Sequence, residues 1–163
     1  MRRTSLAEMD CSVARTLDVV GEWWTLLIIR DAFLGARHFE EFQRRTGIAR
    51  NILAERLERL VENGVFERRP YQERPLRHEY RLTEKGRELF GVLTALRQWG
   101  DRWAAEGDPP MVLEHRDCGY VAVGVLTCSE CGEPLTPYNV RAKGRLITRP
   151  APRPGSDPMS RPA

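Results

Sequence analysis

The hydrophobic period of the chain changes at Gly64, and this change constrains the fold more than any other feature of the sequence. Before Gly64, apolar residues recur at helical spacing and predict a helix over about 49–63. After it, two short alternating runs at 65–69 and 78–82 predict strands. The loop between them, 70–77, contains two prolines, which suits a hairpin tip because proline cannot continue a central strand. A helix leading directly into a β-hairpin is therefore expected.

Three more helical patterns precede this unit, and the last of them completes a helix-turn-helix. Residues 11–34 carry two helices, of which the second is apolar almost all round from Trp23 onward and is expected to be buried. Residues 38–45 predict a third helix, joined to the next by a tight turn containing Gly47. The sequence predicts a mainly α fold with a small β-wing, a winged helix-turn-helix domain over 11–106.

A long amphipathic helix is expected from Thr83, a good N-cap, to about residue 105. Its broad apolar stripe includes Leu96, Trp99 and Trp103. Two tryptophans in the last turns carry more apolar surface than a chain of 163 residues readily buries alone. We therefore interpret the end of this helix as a dimer interface. Packing into the core of the monomer is the alternative.

Composition excludes several classes of protein. With 41% apolar and 30% charged residues, the chain is expected to be globular and not disordered. No apolar run has the length of a membrane span or of a signal peptide, so a cytoplasmic location is expected. The net charge of +3 does not by itself indicate nucleic acid. Arginine supplies 24 of the 26 cations, which suits phosphates but fits a GC-rich genome equally well.

Four cysteine and histidine residues near the C-terminus have the spacing of metal ligands. His115 and Cys118 form one pair, and Cys128 and Cys131 form a second after nine intervening residues. Each pair is followed directly by glycine, which tolerates the backbone turn that points two ligands at one ion. Four protein ligands close a tetrahedral site of the structural kind, so a structural Zn²⁺ is predicted. A reducible thiol pair is the main alternative.

The predicted metal ligands lie in a C-terminal segment that is separate from the winged helix. A linker at 107–110 separates the winged helix from a small zinc-ribbon-like β segment at 111–149. An N-terminal arm at 1–10 and a proline-rich tail at 150–163, expected to be disordered, complete the organisation.

Six blocks of sequence between about residues 10 and 103 occur in an order that is typical of one protein family. They are Cys11 to Gly21, Trp24 to Asp31, His38-Phe39, Gly47-Ile48-Ala49, Leu53 to Leu57 and Glu79 to Gly86. These blocks resemble the HxlR-type bacterial transcriptional regulators, relatives of the MarR type. The resemblance implies a dimeric winged-helix regulator whose recognition helix enters the major groove of DNA, with the wing beside it.

The predicted recognition helix has a defined outward face. Its stripe of leucines points inward, which turns Asn51 and Glu55 outward in the N-terminal turns, where base edges are reached. Ala54 lies between them and could meet a thymine methyl group, although Ser or Thr is common there in the family. Base readout is therefore assigned to Asn51 and Glu55, and an ordinary solvated face is the alternative.

Arginines beside this helix and in the wing are assigned to the DNA backbone. Arg50 and Arg56 flank the helix, and no carboxylate stands three or four positions from Arg56, so no ion pair within the helix is expected for it. Arg74 and Arg77 lie near the hairpin tip and suit phosphates or the minor groove. His38 stands where the family often has Arg and is a weaker candidate for a phosphate contact.

Cys11 is a candidate redox sensor. It stands near the start of the first helix, where exposed amide groups favour a thiolate. Some members of the family that the chain resembles sense oxidants through a cysteine near this position, although Ser12 replaces their usual Pro. A small half-buried residue without chemical consequence is the alternative.

The expected function is that of a repressor that binds a pseudo-palindromic operator in double-stranded DNA as a homodimer. The alternative is a thiol- or zinc-dependent enzyme that uses the winged helix as a protein-interaction scaffold. The sequence contains no H-E-x-x-H, P-loop or G-x-S-x-G motif, so a non-enzyme is predicted.

Overall fold

The structure is a computed structural model that describes residues 6–144. Its elements are α1 (Ser12–Val20), α2 (Trp23–Phe33), α3 (Phe39–Thr46), α4 (Arg50–Glu62), β1 (Phe66–Glu73), β2 (Leu76–Leu82) and α5 (Glu84–Trp103). Five helices and a two-stranded antiparallel sheet follow one another in the predicted order, which confirms the winged-helix prediction. Within 6–144, every helix is too short or too polar to cross a membrane.

Part of the predicted organisation cannot be compared with the structure. Residues 1–5 of the N-terminal arm, 145–149 of the zinc-ribbon-like segment and the tail at 150–163 lie outside the described residues.

One hydrophobic core joins the helices to the base of the wing. It consists of Val20, Ile28, Ile29, Ala36, Phe42, Ile48, Leu53, Leu57, Leu60, Val65 and Phe66. The leucines of α4 are completely or almost completely buried, which confirms the inward direction that their spacing predicts. Each fully buried side chain of this kind contributes about 1.5–3 kcal/mol to folding, so this stripe holds α4 in place.

The predicted burial of α2 is only partly correct. Ile28 and Ile29 are completely buried, but Trp23 is 76% exposed. Trp23 is the first residue of α2, whereas the completely buried core residues of this helix lie in its later turns. The run of apolar residues therefore predicts more burial for this helix than the structure shows.

The wing is longer than its sequence pattern indicates. The strands extend into the predicted loop, and Pro70 lies inside β1 opposite His78. Proline is tolerated there because β1 is an edge strand and needs only one bonded side. The register shifts between Pro70 and Gln72, which leaves Tyr71 outside the ladder as a bulge. On the other side of β2, the Tyr80 amide donates to the Arg37 carbonyl at 2.7 Å and ties the wing to the start of α3.

Glu41 fixes the start of α3 by accepting two backbone hydrogen bonds. Its Oε2 atom accepts from the amides of Arg37 at 2.8 Å and His38 at 3.0 Å. These two bonds, in that order of importance, hold the pKa of the Glu41 carboxyl below its usual value of 4.5. The bonds complete the N-terminus of the helix that directly precedes α4.

The lowered pKa of Glu41 predicts a pH-dependent contribution to stability. A carboxyl whose pKa is lower in the folded state stabilises the protein above its unfolded pKa, and the contribution is lost as the pH falls through the folded pKa. We expect Glu41→Gln to lower the free energy of unfolding at pH 7 by about 0.5 kcal/mol, since the group is partly exposed, and to have less effect near pH 3. Urea denaturation at both pH values measures this. Equal losses at pH 7 and pH 3 would contradict it, and Glu40→Gln on the exposed side of the same turn is the control.

The end of α4 is joined directly to the start of α5. The Thr83 hydroxyl donates to the Gly64 carbonyl at 2.6 Å and accepts from the Gly86 amide at 3.1 Å. This one hydroxyl therefore connects the residues that follow α4 to the first turn of α5. The Lys85 ammonium donates to the Asn63 carbonyl at 2.7 Å. A Cβ atom at Gly86 would overlap the carbonyl oxygen of Val65. We call these contacts between 63–65 and 83–86 the α4–α5 joint.

Candidate nucleic-acid interface and Cys/His segment

The outward face of α4 matches the predicted recognition surface in position. Arg50, Asn51, Ala54 and Glu55 are exposed in its first two turns. The Arg50 guanidinium lies over the Phe39 ring, 4.6 Å from the centroid, which places the cation beside the N-terminus of α4. The first turns of the helix are therefore free to contact a ligand.

The second half of α4 is acidic. Glu58 and Glu62 are exposed on the same side as Glu55. Carboxylates repel phosphates, so a nucleic acid would be disfavoured at this half of α4 and could approach only its N-terminal turns.

Arg56 differs from its prediction. Its Nη1 atom lies 3.0 Å from Glu55 Oε1, and its Nη2 atom lies 3.6 Å from Glu22 Oε2 at the start of α2. Only 15% of its side chain is exposed. The prediction that Arg56 lacks an ion pair within the helix is therefore wrong, because its partners are a sequence neighbour and a residue brought close by the fold. Its charge is largely balanced before any phosphate approaches.

The wing carries its cations near the tip. Arg74 and Arg77 are both exposed. In the outer half of the wing, the bulged Tyr71 packs edge-on against His38, with the ring centroids 4.6 Å apart. Sequence analysis missed Tyr71, because it falls within the predicted loop, and its aromatic character was the only signal. His38 therefore serves as a bridge between α3 and the wing.

An apolar face of α5 is exposed in the described part of the chain. Trp99 is 62% exposed, Trp103 is 65% exposed, and Leu96 is 49% exposed. On α1, Val13 and Leu17 are exposed as well. The alternative in which these tryptophans pack into the monomer core is wrong.

The first pair of predicted metal ligands lies on a small hairpin. The His115 amide donates to the Tyr120 carbonyl at 2.9 Å, and the Gly119 amide donates to the His115 carbonyl at 2.8 Å. Gly119 has a φ of 72°, which favours glycine. His115 Nδ1 lies 3.3 Å from Cys118 Sγ, so the turn brings the two predicted ligands together.

The second pair lies on a hairpin with the same backbone pattern. Its two bonds run from the Cys128 amide to the Glu133 carbonyl at 2.8 Å and from the Gly132 amide to the Cys128 carbonyl at 2.9 Å. The amides of Cys131 and Glu130 donate to the Cys128 sulfur and lower the pKa of that thiol. Among residues 6–144, however, no three His, Cys, Asp or Glu side chains are arranged so that they could hold a metal ion. The structure thus forms each pair and does not assemble all four ligands.

The described residues 111–144, which we call the Cys/His segment, are bonded to α5 through the side-chain amide of Gln98. Gln98 donates from Nε2 to the Gly124 carbonyl at 3.0 Å, and its Oε1 accepts from the Gly124 amide at 2.6 Å. A Cβ atom at Gly124 would come within 2.9 Å of the Gln98 and Thr94 side chains, so a larger residue would displace them. Nothing in the sequence pattern singled out Gln98.

Cys11 is the N-cap residue of α1 and is half-buried. Its side chain makes no capping hydrogen bond. The predicted position at the start of the helix is confirmed, while its role as a redox sensor stays a prediction.

Comparison with known proteins places the chain in a family. The HxlR-like helix-turn-helix family matches residues 19–108. The uncharacterized HTH-type transcriptional regulator Rv3095 of Mycobacterium tuberculosis is 51% identical over 130 residues, which cover 79% of this chain and 82% of that protein. YdeP of Bacillus subtilis, also an uncharacterized HTH-type transcriptional regulator, is 33% identical over 94 residues, covering 57% of this chain and 73% of YdeP.

Solved structures give the same result. The crystal structure of the candidate transcription factor PA1607 is 44% identical, with a TM-score of 0.77, and covers 86% of this chain and 99% of that one. The redox regulator HypR in its reduced form is 32% identical, with a TM-score of 0.54, covering 56% of this chain and 92% of HypR. These relatives are regulators and not enzymes, which confirms the prediction of a non-enzyme. The chain belongs to the HxlR-like helix-turn-helix family of transcriptional regulators.

Proposed function

We propose that this transcriptional regulator acts as a repressor that binds a pseudo-palindromic operator as a homodimer. The observation that carries the proposal is the exposed first half of α4, which stands beside a wing whose tip arginines are also exposed. The acidic second half of α4 limits the approach of a duplex to that end. The enzyme alternative has no support in the family or in its relatives.

Base readout falls to the first turns of α4. Asn51 offers an amide that can pair with both hydrogen-bonding groups of adenine, and Glu55 can accept from the amino group of cytosine. Arg56 holds the Glu55 carboxylate at 3.0 Å, so this acceptor is already oriented. Ala54 contributes an apolar contact, and Arg50 remains the phosphate contact of this helix.

Contacts to the DNA backbone fall mainly to the wing. Arg74 and Arg77 carry the charge, while His38 positions the wing through its packing on Tyr71. Such contacts fix the register of a protein on DNA and add affinity without reading sequence.

Two variants separate base readout from backbone contact. We expect Arg77→Ala to weaken binding to all sequences by roughly 3–10-fold and to reduce the salt slope by about one. We expect Asn51→Ala to relax the preference at one base pair, at a cost of about 1–3 kcal/mol for the preferred site. Gel shifts with the DNA upstream of the gene and its neighbours, over a range of salt, measure both.

The matched control is Arg116→Ala, which removes an exposed arginine from the Cys/His segment and should leave DNA affinity unchanged. Absence of any shift at low salt, where phosphate contacts are strongest, would overturn the proposed DNA binding.

The exposed face of α5, formed by Leu96, Trp99 and Trp103, is the proposed dimer interface. Two recognition helices related by a two-fold axis enter successive major grooves, so half-sites about 34–36 Å apart are expected. Footprinting that protects a single asymmetric half-site would contradict the dimer on DNA.

We also propose that His115, Cys118, Cys128 and Cys131 hold one structural zinc ion and that residues 111–149 form a zinc-ribbon-like segment. The two hairpins present one nitrogen and three sulfur donors, a set that Zn²⁺ prefers. When bound, the ion would join the two hairpins. Large apolar side chains of this segment, including Val121, Val123 and Leu126, are exposed, so burial alone provides little to hold it.

Zinc analysis tests this proposal. We expect about one Zn²⁺ per chain in the purified protein and a loss of most of it in Cys118→Ser. Removal of the ion by a chelator should raise hydrogen exchange in 111–135 while α2–α4 remain protected. Ser129→Ala, between the ligands of the second pair, is the control. A metal-free protein with the same exchange pattern would refute the site.

Two observations support the proposed sensor role of Cys11. HypR, a structural relative, is named a redox regulator, and Cys11 stands at a helix N-terminus in this chain. A thiolate at that position would react with a peroxide to form a sulfenic acid, the peroxide being reduced.

A further inference from the structure

A cavity of about 390 Å³ lies between the end of α2, the base of the wing and the first turn of α5. We call it the wing-base cavity. Its walls include Phe33 from α2, Leu82 from β2 and Arg87 from α5. Cavities of roughly 300–1,000 Å³ are typical of small-molecule sites in proteins. Its size therefore fits a small ligand, and the chemistry of its walls indicates which kind.

Arginine is the most frequent residue type in these walls. The lining contains Arg37, Arg69, Arg81 and Arg87, and within the described part of the chain its carboxylate is Glu67. Guanidinium groups are planar donors that suit the oxygen atoms of a carboxylate or a phosphate. This composition favours an anion over a neutral or cationic ligand.

Two of these arginines are neutralised by carboxylates of the wing itself. Arg69 Nη2 lies 2.6 Å from Glu67 Oε1, and Arg81 Nε lies 2.7 Å from Glu79 Oε1. In the strand register, each glutamate stands opposite the arginine of the other pair, so all four side chains belong to one face of the hairpin. This group of alternating charges is neutral as a whole and offers a ligand no unpaired cation.

The other two arginines, Arg37 and Arg87, have no carboxylate within 4.0 Å among residues 6–144. Arg87 Nη1 donates to the Leu82 carbonyl at 3.0 Å, which holds its guanidinium at the end of β2. The hydrogen bond from Arg81 is the main cause that keeps the pKa of the Glu79 carboxyl below its usual value of 4.5, and the charge of Arg37 adds to it. Arg37 therefore lies near the same face of the wing. Two positive charges remain without a carboxylate partner at this cavity.

The cavity also has an apolar part. Ala32, Phe33 and Leu82 belong to its lining and are half-buried. The Phe33 ring packs edge-on against Phe90, with the ring centroids 5.5 Å apart, which fixes the position of this wall. An inorganic anion would leave these groups in contact with water, whereas an organic anion can cover them.

The two surfaces proposed above do not extend into this cavity. Within the described part of the chain, its lining includes no residue of α4 and neither of the wing-tip arginines, Arg74 and Arg77. A duplex bound to those residues would therefore contact other groups. The proposed dimer face, formed by Leu96, Trp99 and Trp103, does not line the cavity either. This position favours a small molecule as the occupant.

We propose that the wing-base cavity binds a small organic phosphate monoester with an apolar body. The phosphate carries a charge of about −1.5 to −2 at pH 7, which matches the two positive charges of Arg37 and Arg87. A guanidinium can donate two parallel hydrogen bonds to one phosphate. The apolar body contacts Phe33 and Leu82. Binding of this molecule does not depend on the proposed DNA binding.

Two probes of equal shape and different charge test the proposal. At about pH 8, 2-naphthyl phosphate carries about two negative charges and 2-naphthyl sulfate carries one, and calorimetry with the full-length protein at low salt measures both. We expect one site per chain and an affinity for the phosphate that exceeds that for the sulfate by roughly tenfold, the effect of a further charged hydrogen bond. Inorganic phosphate should bind more weakly than 2-naphthyl phosphate, because it lacks the apolar body.

Arg37→Gln and Arg87→Gln each remove one of the two unpaired cations and should lower the preference for the phosphate over the sulfate to about threefold or less. Both variants should retain the DNA affinity of the wild type in gel shifts. Arg44→Gln is the matched control, because it removes the same charge from an exposed position on α3 outside the cavity. It should bind both probes as the wild type does.

Three results would overturn the proposal. The first is equal affinity for 2-naphthyl phosphate and 2-naphthyl sulfate, or for 2-naphthyl phosphate and inorganic phosphate. The second is a preference for the phosphate that neither Arg37→Gln nor Arg87→Gln lowers. The third is a loss of DNA affinity in these two variants with unchanged affinity for the probe, which would assign this face of the wing to the DNA backbone.

Discussion

Trp103→Ala is expected to weaken the proposed dimer by roughly a thousandfold. Truncation of a central tryptophan at an interface costs about 2 kcal/mol or more, and a two-fold interface loses two of them with a single substitution. The 65% exposure of Trp103 in the single chain means that the monomer loses little when the ring is removed. Sedimentation over a range of concentrations measures the shift to monomer.

Trp23→Ala is the matched control, because Trp23 is exposed to a similar extent but lies on α2. It should leave the dimer unchanged. An unchanged dimer in Trp103→Ala would remove the end of α5 from the interface and leave the proposed half-site spacing without support.

Gly86→Ala is expected to destabilise the fold by about 2–3 kcal/mol, although alanine is the better helix former by about 1 kcal/mol. The added methyl group would overlap the carbonyl oxygen of Val65 and the Leu82 side chain. A backbone carbonyl cannot move aside as a flexible side chain can, so α5 would have to shift away from the base of the wing. Urea denaturation measures the free energy of unfolding.

Gly91→Ala in the same helix is the control, and it is expected to change the free energy of unfolding in the opposite direction. A Cβ atom there meets nothing within 4 Å, so the substitution should stabilise the protein by about 0.5–1 kcal/mol. If both substitutions stabilise, the close contact between α5 and Val65 does not exist in solution.

Much of the fold could be predicted because its determinants are local. The leucine spacing of α4 gives both the helix and its inward face, and Thr83 is the N-cap of α5 as expected. The glycine after each predicted ligand pair indicates a turn, and both glycines have positive φ. These features depend on residues within a few positions of each other.

What could not be predicted depends on partners that are distant in sequence. Arg56 is paired with Glu22, which no pattern within α4 reveals. The close approach of Gly86 to Val65, and that of Gly124 to Gln98, require the folded chain. In the sequence, Pro70 predicts the end of the first strand. In the structure, its position on an edge strand allows β1 to continue past it.

The α4–α5 joint has a mechanical consequence. With 20 residues, α5 is about 30 Å long, and the joint fixes its N-terminal end to the end of α4. A rotation of about 5° at the joint moves the far end of such a helix by roughly 2–3 Å. In the proposed dimer, a small change in the angle between the two copies of α5 would move the two α4 helices apart or together, against DNA grooves that repeat every ~34 Å. The joint thus makes α5 a lever arm, and if the proposed dimer binds DNA, the angle between its two α5 helices determines whether both α4 helices fit one face of the duplex.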